Sequence, residues 1–109
     1  MQPEVRVWYL TLDEGSRSKV DFYVELLKQD GPLLGEPYTR QLDGKLRELR
    51  FRLHGRPTRL TYWIAPERRI VLLTAFAKTQ QRERRQVERA RRAMQQSMAE
   101  QREREARDE

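Results

Sequence analysis

With 109 residues, 37% of them hydrophobic and 37% charged, the chain has room for one domain with one economical core, and a multidomain machine is excluded. Its 23 Lys and Arg against 17 Asp and Glu leave a formal charge of +6, which favours polyanionic partners and hints at nucleic acid. The absence of cysteine and the single histidine exclude a disulfide framework, a thiolate nucleophile and a Cys- or multi-His-ligated zinc site.

No apolar run approaches the ~18–20 residues that span a bilayer, and the opening MQPEVRVWYL lacks the basic and apolar regions of a secretion signal. A cytoplasmic protein without membrane association is expected.

In chain order, Val5 to Leu10 reads as a strand. From Ser16 to Gln29, Val20, Tyr23, Val24 and Leu27 fall at i, i+3, i+4 and i+7, the stripe of an amphipathic helix. Asp13 or Ser16 caps its start, and Gly31-Pro32 stops it. A connector punctuated by Gly and Pro follows over residues 31–44.

Leu46 to Leu53 alternates Leu49, Phe51 and Leu53 with Glu48, Arg50 and Arg52, the period-2 pattern of a strand with one buried and one cationic face. His54, Gly55, Arg56 and Pro57 supply turn chemistry, and Thr58 to Ile64 is β-branched and aromatic, which predicts a hairpin. In its second strand Arg59, Thr61 and Trp63 share one face, and Leu60, Tyr62 and Ile64 the other. A turn at Ala65 to Arg68 precedes the apolar run Ile70 to Phe76, read as a central strand covered on both faces.

From Gln80 on, Val87, Ala90 or Arg91, Met94 and Met98 form a narrow helical stripe. Glu88 with Arg92, Glu100 with Arg104 and Glu103 with Arg107 stand at the i, i+4 spacing of helix ion pairs. Residues 1–98 are expected to form the domain, and residues 99–109 a charged helical extension that frays, since only Ala99 and Ala106 in it are apolar. The fold class is α+β: a small, mostly antiparallel sheet flanked by an N-terminal helix and a basic C-terminal helix.

Charge is unevenly spread along this order, at −3 for residues 1–43, +7 for 44–78 and +2 for 79–109. An antiparallel meander brings Arg50, Arg52 and Arg59 to neighbouring positions of one face, with Lys45, Arg47, Arg56 and Lys78 at the strand ends. Like charges side by side destabilise a sheet, so the cluster asks for a reason. One reading is a phosphate cradle in which guanidinium groups grip phosphates and Trp63 or Tyr62 stacks on a base. The other is a solvated face with both aromatics in the core.

His54, in a turn beside Gly55, reads as an exposed histidine more than as a catalyst, and Glu48 as a partner of the arginines more than as a general base. Lys78, at the end of the apolar strand, has two readings: a proton-transfer group beside guanidinium charges that disfavour its ammonium form, or a solvated cation near a helix start. No Gly-rich phosphate loop, G-x-S-x-G or metal motif is present, and no cofactor or metal is expected.

The run LLGEPYTRQLDGKLRELRFRLHGRPTRLTYWIAPERRIVLLTAFAKTQ, residues 33–80, resembles the RelE/HigB toxins of bacterial toxin–antitoxin modules, particularly the phage-derived HigB-like subgroup. The marks are LGEPYTRQLDG, LRELRF, TRLTYW and IVLLTAFAKTQ in that order, running into a basic helix. The resemblance implies a RelE-like fold and a ribosome-dependent endoribonuclease that cuts mRNA by 2′-OH attack and so inhibits translation. It implies catalytic roles for Arg50, Arg59 and Lys78; the +7 strand segment taken together with these motifs adds expected RNA contacts from Lys45, Arg47, Arg52, Arg56, Trp63 and Thr79.

The implied partners are the ribosome with mRNA and a cognate helix-turn-helix antitoxin, with operator DNA reached only through that antitoxin. Some relatives keep a His or Tyr in the segment after Lys78, and this chain has neither there. Two other functions fit the same residues: a gyrase-directed toxin of the same fold, and a non-catalytic nucleic-acid-binding module.

Overall fold

The computed structural model describes residues 2–79 and 83–108. Helix α1 (Pro3–Leu10) and helix α2 (Glu14–Asp30) precede four strands, β1 (Thr39–Asp43), β2 (Leu46–Leu53), β3 (Arg56–Ala65) and β4 (Arg69–Ala77), and helix α3 (Glu83–Arg107) closes the order. The strands form one antiparallel sheet in the order β1-β2-β3-β4. An α+β architecture with a helix-flanked antiparallel sheet is what the sequence predicts.

The segment expected as a first strand is instead α1. Pro3 occupies the first turn, where its missing N–H is no loss, and Glu4 faces the positive end of the helix. Val5, Trp8, Tyr9 and Leu12 then fall at i, i+3, i+4 and i+7 and pack into the core. The β-branched and aromatic composition that suggests a strand is a context-dependent preference, and the context here is a sheet edge. The Gln2 N–H donates to the Leu72 carbonyl at 3.0 Å, and the Ala75 N–H to Glu4 Oε2 at 3.3 Å. The start of α1 thereby covers backbone groups of β4 that an exposed edge would leave open to a further strand.

Helix α2 begins and ends where expected. Asp13 accepts the Ser16 N–H at 2.7 Å as its N-cap, and Gly31 at φ 53° ends it in a conformation that side chains resist. Residues 31–44 are not all loop: they hold a short 3-10 turn, a cis Glu36-Pro37 peptide and β1.

Two cores lie on the two faces of the sheet. Val5, Val20, Leu27, Leu49, Leu60 and Tyr62 fill the space under α1 and α2. Leu46, Trp63, Val71, Leu73, Ala90 and Met94 fill the space under α3. Leu72 and Leu73 of β4 enter opposite cores, so that strand is covered on both faces as predicted, but it lies at the edge of the sheet, not its centre. A chain of consecutive hairpins leaves its last strand at the edge, whatever its composition.

For α3, the predicted start at Gln80 lies outside the described residues. Ala90, Met94 and Ser97 are its buried positions, and Val87, Ala93 and Met98 pack partly against the core. Its charges pair differently from the i, i+4 expectation. Arg91 binds Glu88 one turn back and donates through Nε to Asp43 Oδ2 at 2.7 Å, tying the helix to the end of β1. Among the described residues, no ion pair joins Glu88 to Arg92, Glu100 to Arg104 or Glu103 to Arg107. The helix continues to Arg107, and Arg69 donates to Gln101 at 2.5 Å. Among the described residues, no helix is long and apolar enough to cross a membrane.

Candidate nucleic-acid interface

The hairpin of β2 and β3 has the register that opposes Arg50 to Arg59 directly. Alternation along each strand puts both on the face that carries α3, beyond the end of that helix's core. Together with Arg52, Lys78, Pro37, Phe51 and Pro57 they line an open cleft of about 550 Å³.

Lys78 reaches this cleft through a β-bulge. Thr61 pairs with Thr74 and Tyr62 with Leu72, which leaves Leu73 as the extra residue of β4. Leu73 packs under α3, and Thr74 meets Thr61 side chain to side chain at 2.6 Å on the same face. The bulge therefore reverses the alternation, so that Phe76 opposes Arg59 and Lys78 follows on the Arg59 side. The Lys78 N–H donates to the Pro57 carbonyl at 2.8 Å, extending the pairing one residue past β4. Lys78 Nζ lies 3.4 Å from Glu83 Oε1, so the ammonium has a carboxylate beside it as well as the guanidinium groups.

Arg59 is the fixed charge of the group. Only 5% of it is exposed, its Nη1 donates to the Thr58 carbonyl at 3.1 Å, and its Nε stands 3.5 Å from Glu48 Oε1. That Nε has no hydrogen-bond partner, since the Glu48 contact is an ion pair without a well-formed bond. Burial pushes the Glu48 carboxyl above its ordinary range, against the attraction of Arg59 and Arg50. Burial likewise lowers the Arg59 guanidinium, against the pull of Glu48. Glu48 thus partners the arginines, as its position between them suggests. Arg50 is half-buried, and Arg52 is exposed and donates to the Gly55 carbonyl at 2.9 Å across the hairpin tip.

The remaining predicted contacts are spread out. Arg47 has the opposite parity on β2 and donates to Thr39 Oγ1 at 3.0 Å on the α2 side of the sheet. Lys45 lies in the exposed turn between β1 and β2, Arg56 is exposed at the start of β3, and Thr79 is exposed beyond β4. None of these four lines the cleft. Trp63 is 3% exposed, and its indole N–H donates to Ser97 Oγ at 2.8 Å. Its ring packs β3 against α3 and presents no face to a base; Tyr62 is fully buried in the other core. For these aromatics the core reading holds.

His54 does more than occupy an exposed turn. At φ 50° its Nε2 meets Asp13 Oδ2 at 2.7 Å and Ser16 Oγ at 3.1 Å, clamping the hairpin tip to the start of α2. An Asp, a His and a Ser in contact suggest a catalytic triad, yet both contacts use the same ring nitrogen. A triad needs the carboxylate on one nitrogen and the nucleophile on the other, so this cluster is a structural clamp. The Ser16 backbone N–H, helped by the Ser16 hydroxyl and His54, holds the Asp13 carboxyl down at about 2.

Sequence reasoning passed over Pro37 and Tyr38, both in the connector. Pro37 lines the cleft, and the Tyr38 carbonyl accepts the Arg50 N–H at 2.8 Å. The aromatic and proline flanking a turn before the basic strand were the available signal.

Compared with known proteins, residues 7–95 match the family described as phage-derived protein Gp49-like (DUF891). Neither the curated proteins nor the solved structures gave a match.

Proposed function

From the premise that the chain belongs to the Gp49-like phage-derived family, which is associated with toxin–antitoxin modules, we propose that it is a RelE/HigB-type toxin cutting mRNA on the ribosome. The observation that carries this reading is the direct opposition of Arg50 and Arg59 in one cleft with Lys78.

In this reading the 2′-oxygen of a ribonucleotide attacks the adjacent phosphorus and its proton passes to water. The P–O5′ bond breaks, Lys78 gives a proton to the leaving 5′-oxygen, and the products carry a 2′,3′-cyclic phosphate and a 5′-hydroxyl. Attack builds negative charge on the phosphoryl oxygens. Arg50 meets that charge from the cleft wall, and Arg59 adds a buried, immobile charge that needs no reorganisation as the reaction proceeds. Guanidinium stays protonated at neutral pH, so this stabilisation calls for no metal ion. Arg52 and the exposed Lys45 and Arg56 engage the RNA backbone further out.

Family association with toxin–antitoxin modules makes a cognate antitoxin the expected partner. A helix-turn-helix antitoxin with an acidic segment would cover the basic cleft and carry the pair to operator DNA.

The test is induction of the wild type and of Arg50→Ala in a bacterial host, with mRNA ends mapped on translating ribosomes. New ends and growth arrest with the wild type, both lost in Arg50→Ala, are expected. Arrest without new ends, insensitive to Arg50→Ala and accompanied by DNA damage, would replace this reading with a gyrase-directed one.

A further inference from the structure

Two cations of the cleft and the carboxylates that balance them lie on opposite sides of one wall. Arg59 and Lys78 line the arginine cleft. Glu48 and Glu83, which pair with them at 3.5 and 3.4 Å, line a neighbouring cavity of about 320 Å³ between the sheet and the first turns of α3. The two pairs differ in how firmly they are set. Arg59 and Glu48 are enclosed by packing, whereas the Lys78 and Glu83 side chains are 30% and 47% exposed. Packing therefore fixes the guanidinium but leaves the ammonium to be held in another way.

One end of Lys78 is secured by its backbone N–H, which donates to the Pro57 carbonyl at 2.8 Å. Beyond that point a flexible stem carries a compact, strongly hydrated charge, and Arg50, Arg52 and Arg59 share its cleft. Like charges push an untethered ammonium out of such a group and into water. Among the described residues, the carboxylate within ion-pair distance of Lys78 Nζ is that of Glu83. Glu83 stands on α3, which is anchored by the buried Ala90 and Met94. The far end of Lys78 is thus tied to a packed element.

We propose that Glu83 is the positioning residue for Lys78: its carboxylate holds the ammonium at the cleft wall, against repulsion from the arginines, where Lys78 protonates the leaving 5′-oxygen. The proposal rests on the reading of the cleft as an RNA-cleaving site. Glu83 takes no proton and touches no substrate; it acts on the rate through the placement of Lys78. It also sets a negative charge beside cations that bind phosphate, so its effects on rate and on binding have opposite signs.

The experiment compares single-turnover cleavage on programmed ribosomes by the wild type, Glu83→Gln, Lys78→Ala and the double variant. Binding is measured to ribosomes carrying the same message with 2′-deoxyribose at the cut, which cannot react. Glu83→Gln should lower the rate by about two- to fivefold, the size that an exposed ion pair supports, and should bind the unreactive message more tightly than the wild type. In the Lys78→Ala background it should lower the rate no further, because the group it acts through is gone. In NMR spectra of the free protein with isotopically labelled dimethyl-lysines, Glu83→Gln should shift the Lys78 resonance and leave those of Lys19, Lys28 and Lys45 in place.

A Glu83→Gln rate equal to or above that of the wild type refutes the positioning, and so does an equal loss in the Lys78→Ala background, which would trace the effect to other groups. A fall in rate matched by weaker binding would reduce Glu83 to a support of the fold. An unmoved Lys78 resonance denies the pair in solution. A Lys78→Ala defect without a Glu83→Gln defect overturns the positioning alone, whereas a wild type that leaves the message uncut overturns the cleavage reading and the positioning with it.

Discussion

Glu48 Oε1 stands 3.5 Å from Arg59 Nε with both side chains almost wholly out of water. Removing one member of such a pair leaves the other as an uncompensated buried charge, at a cost of about 3–5 kcal/mol. Glu48→Ala should therefore lower the unfolding free energy by about that amount, measured by urea denaturation at neutral pH. Glu48→Ala combined with Arg59→Met should recover much of the loss, because the apolar pair strands no charge.

The same carboxyl has a pH signature. Its folded pKa is raised by burial above the ordinary 4.5, so the folded state holds its proton more tightly than the unfolded chain does. The contribution is fully present below the unfolded value and is lost as pH rises through the folded one. The stability of the wild type relative to Glu48→Gln should consequently fall as pH climbs from about 4.5. A difference that rises over this range would contradict the assignment.

Asp13 behaves in the opposite sense. Its carboxyl is held at about 2 against an ordinary 3.8, so its contribution is present above 3.8 and disappears as pH falls through that interval. Thermal melts should show the wild type losing its advantage over Asp13→Asn between those two values. At neutral pH, Asp13→Asn should keep part of the helix cap, since an amide oxygen still accepts the Ser16 N–H.

In the cleft, Lys78→Ala should reduce ribosome-dependent cleavage by about 10²–10⁴-fold if it protonates the leaving oxygen. Lys78→Arg keeps the charge but gives up a proton far less readily, and should restore RNA binding without restoring the rate. Single-turnover cleavage alongside binding separates the two effects. Equal rates for wild type and Lys78→Arg would remove Lys78 from proton transfer.

Trp63→Phe should lower stability by about 1–3 kcal/mol, through loss of ring area and of the bond that leaves Ser97 unpaired. RNA binding should be unchanged, since the ring faces α3. A fall in RNA affinity at unchanged stability would reverse the placement.

Period and turn chemistry made α2, the β2–β3 hairpin and the cationic face around Arg50 and Arg59 legible from the chain alone, because i, i+3, i+4 spacing and strict alternation are local properties. The Gly31 stop and the Asp13 cap were legible for the same reason. What a residue meets across the fold was not. Val5 to Leu10 is helical because it docks beside β4, and Trp63 is enclosed because α3 folds over it. Glu48 becomes a buried ion because the same face that carries arginines also lies near that helix.

Lys78 shows the division most clearly. Its place at the end of an apolar strand can be read from the sequence, whereas its side of the sheet depends on one unpaired residue, Leu73, five positions earlier. A one-residue change in strand register sends every later side chain to the other face, and nothing in the run IVLLTAF announces where the extra residue falls. Residue types and local periodicity determined the elements and the charge of this protein; pairing and packing over long separations decided which of those charges share a cleft.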